Sequence, residues 1–125
     1  ACWRSQFAIK DFNAPLTPRN RRAFAETVTI MREGLELCVR NGWRPVVVLP
    51  PISRHYDGVF KPVFWKTYVD DFMAAANSTG APYWDYGADE RFRGDENFAN
   101  SLMLNRKGRA RFTAEIVRRI REELS

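Results

Sequence analysis

The feature that most constrains the fold is the segment 46–49, which reads Val-Val-Val-Leu and has prolines directly on both sides. A short apolar run rich in β-branched residues indicates a β-strand. Because successive side chains of a strand point to opposite faces, a run without polar residues predicts burial on both faces. Strands of this kind occur in parallel sheets that helices cover above and below. The segment therefore predicts an α/β fold.

Three amphipathic segments predict three helices. The first begins at Thr17-Pro18, a capping residue followed by a residue that favours the first helical turn, and it ends at Asn41-Gly42. Its inner face has apolar residues at spacings of three and four: Phe24, Val28, Met31, Leu35 and Cys38. The second helix is predicted from Pro62 to Ala76. The third is predicted from about Lys107 to Glu123, with an apolar stripe of Phe112, Ile116, Ile120 and Leu124.

The order of elements predicts one domain over residues 1–125. Segment 82–86 is a second predicted strand, and Phe7 to Phe12 is either a short strand or an extended arm. Strands that alternate with helices predict a three-layer α/β/α sandwich around a small parallel sheet, with segment 46–49 at its centre. A sheet this narrow leaves unpaired edges, so we expect an upstream segment or a second copy of the chain to complete it.

Composition limits the classes of function. No apolar run approaches the ~20 residues that a membrane span needs, so no span is predicted. The net charge is +5, but no nucleic-acid-binding motif accompanies it, and solvated helix faces are favoured over a nucleic-acid site. Two cysteines and one histidine show no metal-ligand spacing, so neither a metal nor a cofactor is predicted. Cys38 is expected to be a buried thiol, with a disulfide to Cys2 as the alternative.

Two loops follow predicted strands, and ligands of open α/β sheets bind beyond the carboxyl ends of the strands. The first loop is 50–57, which holds the only histidine. Its candidate cleft residues are Ser53, Arg54, His55 and Tyr56. A local triad of Ser53, His55 and Asp57 is disfavoured, because nucleophile, base and orienting group must converge from different directions. A ligand-contacting loop and a plain surface loop both stay open.

The second loop, 87–105, leads into the third helix with the phrase F-A-N-S-L-M-L-N-R-K-G-R-A-R-F-T at 98–113. This phrase resembles the closing block of the SGNH (GDSL-type) hydrolases, Phe-x-Asp-x-x-His-Leu-Asn-x-x-Gly-x-x-x-Phe-Thr. The matching residues are Phe98, Leu104, Asn105, Gly108, Phe112 and Thr113. Asn100 stands at the Asp position and Met103 at the His position. The resemblance covers about residues 18–124 and is nearest to the D-alanine-transfer (DltD-like) branch, which also has a Pro-Pro loop after a strand.

The resemblance implies a serine esterase or acyltransferase fold, in which the His of the block takes the serine proton and the Asp orients that His. Met103 has no titratable group, and Asn100 cannot stabilise an imidazolium by charge. The Gly-Asp-Ser motif that carries the family's nucleophile does not occur in this chain. We therefore expect an SGNH-hydrolase-like domain, or the C-terminal half of one, that is inactive as this isolated chain. If the domain is active, its nucleophile lies outside this segment.

Two other readings stay open beside the hydrolase. The chain is then either a non-catalytic α/β domain for binding or assembly, or a small basic nucleic-acid-binding module. An acyl or carbohydrate ester is the ligand class that the resemblance implies for the cleft. Within the second loop, Leu102, Met103 and Leu104 are expected to form an apolar plug under the last helix, with Asn105 at or next to its N-cap. A retained ligand site that includes Asn105 is the alternative.

Overall fold

The computed structural model describes residues 11, 13–100 and 102–124. In order, the elements are α1 (Pro18–Arg40), β1 (Val47–Leu49), α2 (62–76), β2 (Tyr83–Asp85) and α3 (Arg106–Glu123). β1 and β2 pair as a two-stranded parallel sheet, which confirms the mixed α/β class. Two short 3₁₀ turns, Arg54–Tyr56 and Asp95–Asn97, lie in the loops that follow the strands.

The chain divides into two compact units. Among the described residues, the first comprises 11, 13–47 and 58–82, and the second comprises 48–57, 83–100 and 102–124. In the first unit, α1 begins and ends as predicted. The Thr17 side chain accepts the Asn20 N–H at 3.2 Å, which satisfies one of the free donors of the first turn. After the helix, Gly42 adopts φ 75°, the left-handed conformation that a side chain disfavours.

Helix α2 packs against α1 through aromatic side chains. Phe24 meets Tyr68 and Phe72 edge to face, with ring centroids 6.5 and 5.6 Å apart. The Arg32 guanidinium adds a polar tie, since it donates to the carbonyl oxygen of Ala75 at 2.6 Å. The predicted helix 62–76 is continuous, but its middle part, Lys66–Asp71, has π-helical hydrogen bonding. The sequence pattern did not indicate that local widening.

The second unit has an aromatic core. Trp84, Tyr86 and Phe92 are buried. Phe112 of α3 meets Tyr86 and Phe92 edge to face, with centroids 5.2 and 5.6 Å apart. Helix α3 is therefore fixed to the segment that contains β2 by rings that pack at the angles aromatic pairs prefer.

The apolar stripe predicted for α3 is wrong at one position. Ile120 is 42% exposed, and Arg119 lies on the inner face instead, with its guanidinium 4.4 Å from the centroid of the Trp84 ring. A guanidinium is attracted to an aromatic face and its stem is apolar, so arginine can take a position that the pattern assigns to an aliphatic residue.

Four further expectations need correction or lie outside the described residues. β1 begins at Val47, and its side chains are half-buried, not buried on both faces. Cys38 is a half-buried free thiol where a buried one was expected. Cys2 and nearly all of the Phe7 to Phe12 segment lie outside the described residues.

Candidate functional site

The two loops that follow β1 and β2 lie side by side in the second unit. The Tyr86 N–H donates to the Leu49 carbonyl at 2.9 Å, and the Ile52 N–H donates to the Gly87 carbonyl at 3.2 Å. A Cβ on Gly87 would come within 3.1 Å of the Leu49 side chain. Pairing thus continues beyond the strands, and it brings loop 50–57 against loop 86–105.

Arg93 is the main polar link between these loops. Its side chain is only 10% exposed. It donates to the Ile52 carbonyl at 2.9 Å, to the Asp57 carboxylate, and to Glu90 at 3.1 Å. The Asp57 hydrogen bond, followed by that of Glu90, holds the pKa of Arg93 above its usual value. A buried guanidinium with three acceptors fixes the separation of the loops.

The four cleft residues of the first loop have separate surroundings. Ser53 is fully buried, and its Oγ accepts the His55 backbone N–H at 3.2 Å, so it caps the short turn that follows. Arg54 pairs with Glu90 at 2.6 Å. The His55 ring is exposed, and its Nε2 lies 2.9 Å from an Asp95 oxygen. Tyr56 is buried.

These contacts do not form a triad within the loop. The Ser53 hydroxyl is engaged by backbone, the Asp57 carboxylate by Arg93, and the His55 ring by Asp95. A nucleophile must instead be hydrogen-bonded to its base and reachable by substrate. The geometry agrees with the sequence-based rejection of Ser53, His55 and Asp57 as catalytic neighbours.

Five of the six matched residues of the closing block have a structural contact. Phe98 and Leu104 form an isolated antiparallel bridge that closes the loop before α3. Asn105 caps α3, as expected: its Oδ1 accepts the Gly108 N–H at 2.8 Å, and its Nδ2 donates to the Glu96 carbonyl at 2.8 Å. Phe112 belongs to the aromatic core.

Gly108 is the position where the closing block is tightest. A Cβ placed there would lie 2.1 Å from the Asn97 carbonyl oxygen. Asn97 is itself fully buried, and its side chain donates to the Phe92 carbonyl at 3.2 Å and accepts from Arg111 at 2.8 Å. Only glycine allows the first turn of α3 to approach this carbonyl. The Leu-Asn-x-x-Gly spacing is thus the geometry of one loop-to-helix junction.

Asn100 and Met103, which stand at the Asp and His positions of the block that the sequence resembles, lie on the surface. The Asn100 Oδ1 accepts the N–H groups of Leu102 and Met103, each at 2.9 Å. Met103 is 60% exposed and Leu102 is 47% exposed. The expectation of an apolar plug under the last helix is therefore wrong, because of the three residues only Leu104 is even half-buried. The Asn100 amide orders the loop through its oxygen, a role that a carboxylate can also fill.

Helix α3 carries a buried carboxylate that the sequence analysis did not single out. Glu115 is 8% exposed and pairs with Arg118 at 2.7 Å and with Arg91 at 3.4 Å. The Tyr86 hydroxyl lies 3.3 Å from the same carboxylate. The hydrogen bond from Arg118 contributes most to lowering the pKa of Glu115 to about 2. A shallow cavity of about 470 Å³ lies beside Glu115. Two of the arginines that line it, Arg91 and Arg118, are already paired with Glu115.

The described part of the chain contains no group of three or more His, Cys, Asp or Glu side chains placed to hold a metal ion. In the same residues no helix is long and apolar enough to cross a membrane. Comparison with models of protein families, with curated proteins and with solved structures finds no match.

Sequence reasoning missed Arg93, Asn97 and Glu115. Loop 88–97 reads A-D-E-R-F-R-G-D-E-N, and this alternation of acids and arginines was the available signal for Arg93. Glu115 falls between apolar residues at helical spacing, since Phe112 precedes it by three residues and Ile116 follows it. An acid at such a position predicts a buried pair. No sequence signal pointed to Asn97.

Proposed function

We propose that this chain is an SGNH-hydrolase-like domain, related to ester hydrolases and acyltransferases, that keeps the frame of the site and has lost its proton-transfer pair. The observation that carries the proposal is the junction before α3. Asn105 and Gly108 have the contacts that explain their spacing, while positions 100 and 103 lie on the exposed loop that this junction closes. A catalytic histidine must be reachable by substrate and so needs an exposed position, whereas a methionine has no such need.

The expected inactivity follows from the side chains present. Met103 carries no proton, and Asn100 carries no charge to stabilise an imidazolium. Ser53 is buried, and the His55 ring contacts Asp95 at a solvent-exposed position. Under this proposal the nucleophile lies outside the segment. An acyl or carbohydrate ester is the ligand class that the resemblance implies.

The three-layer α/β/α architecture is part of the same proposal. A three-layer α/β/α sandwich needs a sheet that is covered on both faces, whereas the side chains of β1 are half-buried. In α1, Ile30 is 70% and Leu37 49% exposed. Both observations support a larger α/β domain in which an upstream segment or a second copy adds strands and covers apolar surface. They equally favour the second candidate, a non-catalytic domain for assembly.

Hydrolysis of p-nitrophenyl acetate tests the inactivity. We expect the wild-type chain and His55→Ala to release nitrophenol at the buffer rate, because loss of a general base alone removes ~10²–10⁴-fold. Turnover above buffer that disappears in His55→Ala would overturn the proposal and make loop 50–57 the catalytic one.

Restoring the pair tests the assignment of positions 100 and 103. The chain has one histidine, so His55→Ala with Met103→His has a single imidazole whose pKa proton NMR reads directly. Adding Asn100→Asp should raise that pKa by about one unit, because a nearby carboxylate favours the imidazolium. Asn105→Asp, a carboxylate added at the helix cap, is the matched control and should raise it less. Equal pKa values with and without Asn100→Asp would show that the two positions are not a coupled pair.

A further inference from the structure

The loop and first turns of α3 combine exposed apolar side chains with unpaired cations. Leu102 and Met103 are about half exposed or more, and Arg106, Lys107 and Arg109 are exposed as well. Arg109 donates to the Leu104 carbonyl at 3.4 Å, so its guanidinium reaches back to the loop. We call these five residues the junction surface.

The charge of the junction surface has no counterpart among its neighbours in the sequence. Between Glu96 and Glu115 the chain has four cations and no acid. None of the three cations of the junction surface pairs with a carboxylate among the described residues. The nearest acids are turned elsewhere, since Asp95 faces His55 and the Glu96 carboxylate lies against Gly94.

The placement of these cations is unfavourable for the helix alone. The first turn of α3 has no acidic residue, and the N-terminus of a helix already carries the positive end of its dipole. Cations at this end therefore repel the dipole and one another. An external anionic surface would remove that repulsion. The exposed side chains of Leu102 and Met103 add an apolar contact beside the cations.

We propose that the junction surface docks this domain on an anionic lipid bilayer. Leu102 and Met103 enter the boundary between headgroups and acyl chains, while Arg106, Lys107 and Arg109 lie among the lipid phosphates and carboxylates. A nucleic acid fits less well, because single strands are held by bases stacked on aromatic rings, and the exposed apolar residues here are aliphatic.

Co-sedimentation with vesicles tests the docking. At physiological salt, the wild-type chain should sediment with vesicles of equal parts phosphatidylcholine and phosphatidylserine, and not with phosphatidylcholine alone. The triple variant R106Q/K107Q/R109Q should lower the partition coefficient roughly a hundredfold, given the attraction of an anionic leaflet for each cation. The double variant L102S/M103S should lower it about tenfold through lost apolar insertion.

The matched control is R19Q/R21Q/R22Q, which removes the same charge from exposed positions of α1. It should keep most of the vesicle binding. Circular dichroism checks that all variants keep the wild-type fold. Equal losses in the two triple variants would mean attraction by net charge alone and would overturn the proposal. So would unchanged binding by L102S/M103S, or wild-type binding to single-stranded RNA or duplex DNA without binding to vesicles.

Discussion

Gly108 shows how one residue sets the geometry of the candidate site. Its conformation is helical, so the need for glycine comes from space: the Asn97 carbonyl occupies the place of a Cβ. Gly34 is the useful contrast, because it lies in the middle of α1 with nothing within 4 Å of its Cβ position. Replacement by alanine should therefore have opposite effects on stability at these two helical glycines.

We expect Gly108→Ala to lower the free energy of unfolding by about 3 kcal/mol, since a backbone carbonyl cannot move aside as a flexible side chain can. Gly34→Ala should raise it by about 0.5–1 kcal/mol, because alanine loses less conformational entropy in a helix. Urea denaturation followed by circular dichroism measures both. If Gly108→Ala were as stable as wild type, the close contact between α3 and Asn97 would be wrong.

At the scale of elements, the attachment of α3 depends on Glu115. Its folded pKa of about 2 lies below the ordinary value of 4.5. The carboxylate therefore stabilises the fold fully above about pH 4.5, and this contribution is lost as pH falls towards 2. Because Arg91 and Arg118 are largely exposed, water screens part of the attraction.

Glu115→Gln should lower the free energy of unfolding at neutral pH by about 1–3 kcal/mol and should flatten its decline between pH 4.5 and 2. Glu122→Gln removes an exposed partner of the same Arg118 and should cost less than about 1 kcal/mol. Denaturation at a series of pH values measures both variants. The network would not anchor α3 if the two glutamine variants had the same acid profile.

The sequence predicted the elements better than the contacts between them. Caps and periodicity placed α1 to within a residue, because Thr17 and Gly42 act on their own helix. They could not show that Arg119 would replace Ile120 over Trp84, since that exchange depends on a ring brought in from β2. The pairing of Arg93 with Ile52 and Asp57 likewise joins residues about forty positions apart. Local patterns carry no information on such partners.

At the scale of the whole molecule, the sheet has an outer edge on the side of β1 that faces away from β2. β1 pairs with β2, and no further strand joins the sheet among residues 11, 13–100 and 102–124. Proteins normally cover or pair such an edge. The Val47 N–H donates to the Pro82 carbonyl at 2.9 Å. Hydrogen-bonding groups alternate sides along a strand, so the Val48 N–H points away from β2.

This geometry allows a substitution that blocks only the outer edge. Proline at position 48 removes an N–H that β2 does not use, whereas proline at 47 removes the bond to Pro82. We expect light scattering to give the wild-type chain a mass above that of a monomer, rising with concentration, and to give Val48→Pro the mass of a monomer with an unchanged circular dichroism spectrum. Val47→Pro should lose stability instead. A wild-type chain that stays monomeric at all concentrations would contradict pairing with a second copy through this edge.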